Sequence, residues 1–159
     1  MYSSVVYFTL LLWLPALAMS VVYGQVKKLE PKEVPQSVVN GFHHHCPNTA
    51  AQTWTLHKKQ YTVVFKGNGQ TGKANFTPEG TWLGSEQNLA SNQMPKPALA
   101  YLKKKFGSYR VREMLKLQLP DGSSHYRVRL EHRERDEWVT ADFDLEGKLK
   151  AVDMPRKKH

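Results

Sequence analysis

Three histidines and the single cysteine of the chain stand side by side, His43-His44-His45-Cys46, with His57 further on. Imidazole and thiolate are the side chains that hold Zn or Cu, so the cluster poses a metal question, with His43 and His45 as the candidate ligands. A second set is scattered along the chain but coherent in chemistry: Arg112, Lys116, Arg127, Arg129 and Trp138. Arginine and tryptophan are enriched where proteins grip one another, so this set poses a binding question. The parts of common catalytic machines cannot be assembled from the remaining residues. There is no Ser-His-Asp order, no cleft pair of carboxylates, no phosphate-binding glycine loop and no metalloprotease helix. The expectation is a protein that is not an enzyme and carries no cofactor.

The elements that must position these residues appear as a phrase stated twice. Val34, Val38, Phe42 and Cys46 recur as Met94, Ala98, Leu102 and Phe106, each sixty positions later, and Pro35 recurs as Pro95. Tyr61 to Phe65 is echoed by Tyr126 to Leu130, and Phe76-Thr77-Pro78-Glu79-Gly80 by Phe143-Asp144-Leu145-Glu146-Gly147. A repeat of this length is one supersecondary unit used twice. In each unit an i, i+4 apolar stripe after proline predicts a helix. The first runs from Pro35 to Pro47-Asn48, the second from Pro95 to Phe106. Strands are predicted around Trp54–Leu56, Tyr61–Phe65, Lys73–Thr77 and Thr81–Gly84, then over Val111–Leu119, Tyr126–His132, Glu137–Asp144 and Leu149–Val152. Gly67-Asn68-Gly69, Pro78-Glu79-Gly80, Asp121-Gly122 and Glu146-Gly147 supply the turns. The expected fold is α+β: two tandem helix-plus-four-strand repeats forming one antiparallel sheet of about eight strands, with helices on one face. The expected divisions are a signal peptide over 1–24, a linker over 25–32, repeats over 33–90 and 91–153, and a basic tail over 154–159.

The repetition acts as a control on the chemistry. The three histidines occupy the positions of Lys103-Lys104-Lys105, a solvated helix end, and Cys46 occupies the core position of Phe106. Consecutive helical residues also point about 100° apart. Metal binding through His43 and His45 is therefore the weaker alternative. Alternation along the strands sorts the second set. Val128 and Leu130 face inward and Arg127 and Arg129 outward, and Val139, Ala141 and Phe143 inward with Trp138 outward. Leu115, Leu117 and Leu119 are read as inward, with Met114 and Lys116 outward. The result is an outward basic sheet face carrying a tryptophan. Its competing reading is an ordinary solvated face whose charges prevent sticking. Glu79 and Glu146 form a repeated pair, but each precedes a turn glycine, which explains both.

The first stretch, Val5 to Tyr23, carries no charge and reads as a secretory signal cleaved after Gly24, with Ala18 as the other possible site. The alternative is an uncleaved anchor, the one case in which a membrane partner is expected. One cysteine excludes an internal disulfide framework. The net charge of +9 suits anionic partners. An export signal and the lack of a recognition motif argue against nucleic acid. Asn75-Phe76-Thr77 spells a glycosylation sequon but falls in a predicted strand.

Val34-Pro35 with its helix, Phe76-x-x-Glu79-Gly80-x-Trp82, and Leu102-Lys103-Lys104-Lys105-Phe106-Gly107 followed by Phe143-Asp144-Leu145-Glu146-Gly147-Lys148-Leu149 together resemble the exported bacterial PepSY-like, beta-lactamase-inhibitor-like proteins. The resemblance covers about Glu33 to Asp153. It implies tandem units, a sheet whose open face can hold a protein loop, and no catalytic residues. The histidines and Cys46 depart from the lysine-rich helix end usual in that family. The expected function is an exported, periplasmic or secreted binding module. Its partner would be an exported or envelope protein engaged through Arg112, Lys116, Arg127, Arg129 and Trp138. The alternative is a binder of small ligands, metal or envelope polyanions.

Overall fold

The computed structural model of the protein describes residues 26–67 and 69–154. The expected signal segment, Asn68 and the tail beyond Met154 lie outside the described residues. Nine strands pair antiparallel in strict chain order: β1 Lys27–Leu29, β2 Ala50–His57, β3 Gln60–Gly67, β4 Gln70–Phe76, β5 Trp82–Asn88, β6 Tyr109–Gln118, β7 Ser124–His132, β8 Trp138–Phe143 and β9 Leu149–Asp153. Two ten-residue helices, α1 Gln36–His45 and α2 Lys96–Lys105, each follow a short 3₁₀ turn and a proline. The proline costs nothing there, because a helix entrance has no partner for its missing amide donor. The class is α+β.

Both helices lie on one face of the sheet. Directly opposed strand residues share a face, and one such row runs Phe65, Gly72, Gln87, Lys116, Tyr126, Phe143 across six strands. Val38 and Phe42 of α1 pack with Trp54, Val63, Phe65, Ala74 and Phe76. Ala98 and Leu102 of α2 pack with Val128, Leu130, Val139, Ala141 and Phe143. Phe76 and Phe143 are fully buried. Each contributes roughly 1.5–3 kcal/mol by leaving water. The opposite face has no helix over it among the described residues.

Two glycines decide where the helices sit. Gly80 and Gly147, each the last residue of its echoed phrase, adopt φ of +86° and +84°. Each donates its amide to the carbonyl three residues back, Gly80 N–H to Thr77 at 3.0 Å and Gly147 N–H to Asp144 at 3.1 Å. A side chain at Gly80 would stand 2.2 Å from the Ser37 carbonyl oxygen, and one at Gly147 would stand 2.7 Å from Pro95 Cβ. The first turn of each helix therefore docks directly on a bare turn of its own half.

One expectation is corrected here. Residues 27–29, read as linker, form β1, so the sheet has nine strands rather than about eight. Lys27, Lys28 and Leu29 oppose Leu56, Thr55 and Trp54. Sixty residues on, Gln87 and Asn88 oppose Lys116 and Leu115, and Leu89 N–H donates to the Met114 carbonyl at 2.8 Å. β1 thus stands beside β2 as the end of β5 stands beside β6.

Candidate functional site

The uncovered sheet face is built from alternate residues of β2 to β9, and its make-up at β6 differs from the expectation. Met114 opposes Val128 and Lys116 opposes Tyr126, so Met114 and Lys116 lie on the helix side. Leu115 opposes Arg127 and Leu117 opposes His125, which puts these leucines on the open face. The cause is a β-bulge: register slips between Val111 and Glu113, with Arg112 as the extra residue. One inserted residue exchanges the faces of everything beyond it. Lys116 is consequently not part of the face that carries Arg127, Arg129 and Trp138.

The remaining candidates do share that face, but it is not a free basic surface. Arg127 grips Asp142 with two parallel bonds, Nε to Oδ1 and Nη2 to Oδ2, both 2.8 Å. Arg129 Nη1 donates to Glu113 Oε2 at 3.2 Å, and Arg112 donates to Glu131. Lys73 pairs with Glu86 at 3.3 Å. The Arg127 bonds hold the Asp142 carboxyl below its ordinary range and raise the guanidinium. His125 Nε2 lies 3.9 Å from Asp142 Oδ2. Partial burial lowers the His125 pKa, against the pull of Asp142. Each sequence-predicted arginine thus has a carboxylate of its own.

Beside these pairs lies a hollow of about 200 Å³ where β5 meets β6. Leu83, Leu117 and Leu119 line it together with Asn75, Glu86, His125 and Arg127. Gly84, at φ +120°, lies in its wall, where a side chain would come 3.0 Å from the Gln118 carbonyl. Leu83 and Leu119 are 42% and 38% exposed, and Trp138, toward one end of the face, is 46% exposed. Leu117 and Leu119 were missed because their spacing reads as core. The available signal was Glu113, a charge at a position that strict alternation from Val111 to Leu115 would place in the core.

The histidines do not converge. His43 packs against Phe42, with ring centroids 5.4 Å apart, while His45 lies flat on Trp82 at 4.7 Å and 12°. They line different cavities, His43 one beside β2 and His45 one beside β5. Burial lowers the His45 pKa, and it pushes the Cys46 thiol up to about 11. Among the described residues no three His, Cys, Asp or Glu side chains come together as a metal site. No helix among the described residues is long and apolar enough to cross a membrane.

This fold and open face define the class. A family model described as putative beta-lactamase-inhibitor-like, PepSY-like matches residues 59–151, more than half of the chain, and the protein belongs to that family. It is similar in structure to a DUF2874 family protein from Bacteroides uniformis, at 16% identity and TM-score 0.66, covering 76% of this chain and 88% of that one. It is similar also to a protein from Bacteroides eggerthii described as periplasmic, at 18% identity and TM-score 0.66 with the same coverages. A BLIP-like protein from Bacteroides fragilis matches at 21% identity and TM-score 0.65, over 79% of this chain and 92% of that one. At these identities the likeness establishes the fold. No curated protein matches the chain.

Proposed function

We propose that the protein is an exported, non-enzymatic binding module that grips a protein through its open sheet face. We further propose that its two halves are tandem copies of one helix-plus-four-strand unit. The duplication is supported by the sixty-residue echo, which extends to the bulges at Gln52 and Arg112. A periplasmic or secreted location is supported by the uncharged stretch over 5–23 and by a similar fold in proteins described as periplasmic. The observation that carries the binding reading is the hollow on the face without helices, in which Leu83, Leu117 and Leu119 stand beside the Arg127–Asp142 and Lys73–Glu86 pairs. An apolar centre inside a polar rim is the general anatomy of a protein interface, and an exposed tryptophan is a common anchor of one.

The polyanion reading of the same face is weaker. A surface that attracts polyanions needs cations whose charge is not already met, and Arg112, Arg127 and Arg129 each face a carboxylate. The metal reading is weaker too, because His43 and His45 lie on different flanks of α1.

Capture from a bacterial envelope extract separates these readings. The binding module retains a specific protein, and Leu117→Asp or the pair Arg129→Ala and Trp138→Ala releases it. Retention of polyanions alone, lost in salt and with no protein captured, favours the second reading. A captured protein indifferent to all three changes rules out the sheet face.

A further inference from the structure

Each half has a second opening, on the helix side of the sheet, built from the same six positions. Val39, Phe42, His43, Thr49, Ala51 and Trp54 line a groove of about 390 Å³ between α1 and β2. Leu99, Leu102, Lys103, Tyr109, Val111 and Met114 line one of about 280 Å³ between α2 and β6. Every member of the second set stands sixty residues after its counterpart. Each groove lies between its helix and the first long strand of its half, β2 or β6. Phe42 and Trp54 form a buried floor in the first groove, while Val111 in the second is 44% exposed.

The charges at the two mouths have one sign. The first groove is bordered by Lys32 and the second by Lys103, and among the described residues no carboxylate lines either. A trough lined mainly by apolar side chains with a few polar groups is the ordinary form of a small-ligand site, and the first groove falls within the usual range of about 300–1,000 Å³. The volume suits one extended apolar chain rather than the face of a partner helix, which needs several anchors along a longer groove. The cations select an anionic end.

We propose that the groove beside α1 binds a single-chain anionic amphiphile. Its acyl chain lies along Phe42 and Trp54, and its carboxylate meets Lys32. The groove beside α2, narrowed by Leu99 in place of Val39, is a weaker second site with Lys103 at its mouth. This site is independent of the open sheet face.

Dodecanoate and dodecyltrimethylammonium, titrated into the protein by calorimetry below their micelle-forming concentrations, test the proposal. Dodecanoate binds and the cationic surfactant of the same chain length does not. Val39→Glu weakens dodecanoate binding at least about tenfold, since it places an unpaired carboxylate in the trough. Lys32→Glu, on an exposed residue that leaves the core intact, weakens it by a similar factor. Dodecanoate carrying bromine on its chain quenches Trp54 emission in a protein whose other three tryptophans, Trp13, Trp82 and Trp138, are changed to Phe. Equal binding of both surfactants, absence of dodecanoate binding, or binding unchanged in Lys32→Glu overturns the proposal. So does dodecanoate that binds vesicle-bound protein only, which would assign the cations to a lipid surface.

Discussion

The two halves place their bulk at different positions: Phe42, Trp54 and Phe65 of the first correspond to Leu102, Met114 and Leu130 of the second, while Gly41 and Cys46 correspond to Tyr101 and Phe106. Under α1 the strands supply Trp54, Phe65 and Phe76, and the helix offers Gly41. A side chain at Gly41 would stand 2.4 Å from the Gly80 carbonyl oxygen. Under α2 the strands are mostly aliphatic, with Val128, Leu130, Val139 and Ala141. There the helix supplies Tyr101, in the position of Gly41, whose ring meets Phe143 edge-on at 5.9 Å, and the C-cap residue Phe106 replaces Cys46. The lesson is that two similar halves tolerate different placements of their bulk, provided that each gap is filled once.

The two largest cores can be broken symmetrically. Phe76→Ala and Phe143→Ala are each expected to cost about 3–5 kcal/mol in urea unfolding, because both rings are fully buried. A marked difference between them would show that one half carries the stability of the sheet. The helix position is where the halves should diverge. Gly41→Ala is expected to destabilise by about 1–3 kcal/mol through backbone displacement, although alanine is the better helix former. An unchanged or raised midpoint would refute the close approach of α1 to the Gly80 turn.

On the open face the contrast is between ion pairs. Arg127→Ala, which removes a two-bonded partner of the partly buried Asp142, is expected to cost about 1 kcal/mol. Arg129→Ala, with one bond to Glu113, should fall within about 0.5 kcal/mol of the parent. Acidification should erode stability in two stages. His45 and His125 have pKa values lowered from 6.5 by burial, so below that value the unfolded chain takes up protons that the folded chain resists. Stability then falls between about pH 7 and pH 5, and His125→Gln flattens this slope. The Arg127–Asp142 contribution, present above the ordinary carboxylate range, fades only as the pH drops further, through the lowered Asp142 value. The smallest effect is on reactivity alone: Cys46, buried with its thiol pushed up to about 11, should resist iodoacetamide until urea unfolds the chain.

The helices and most strands were legible because buried stripes leave a period in the chain. Val38 and Phe42, or Val128 and Leu130, can be sorted by spacing alone. The turn glycines were legible as turns, but their second role as seats for helices depends on distances that no local pattern carries. β1 was missed as a three-residue edge, though the echo of Leu29 in Leu89 marked it. The face of β6 was misread because Leu115, Leu117 and Leu119 alternate as a core strand would, while the bulge at Arg112 turns them outward. The same flip hid the centre of the candidate site. The basic character of the face was overestimated for a related reason: Asp142, Glu113 and Glu131 meet the arginines only through strand register.

Hydroxyl-radical footprinting of the protein, in buffer and in concentrated envelope extract, tests the central claim that the open face is the binding surface. The account predicts protection of Trp138, Leu83 and Leu119 in the extract, with exposed Leu145 modified equally in both. Protection confined to Leu145 and Val111, with Trp138 as reactive as in buffer, would contradict it.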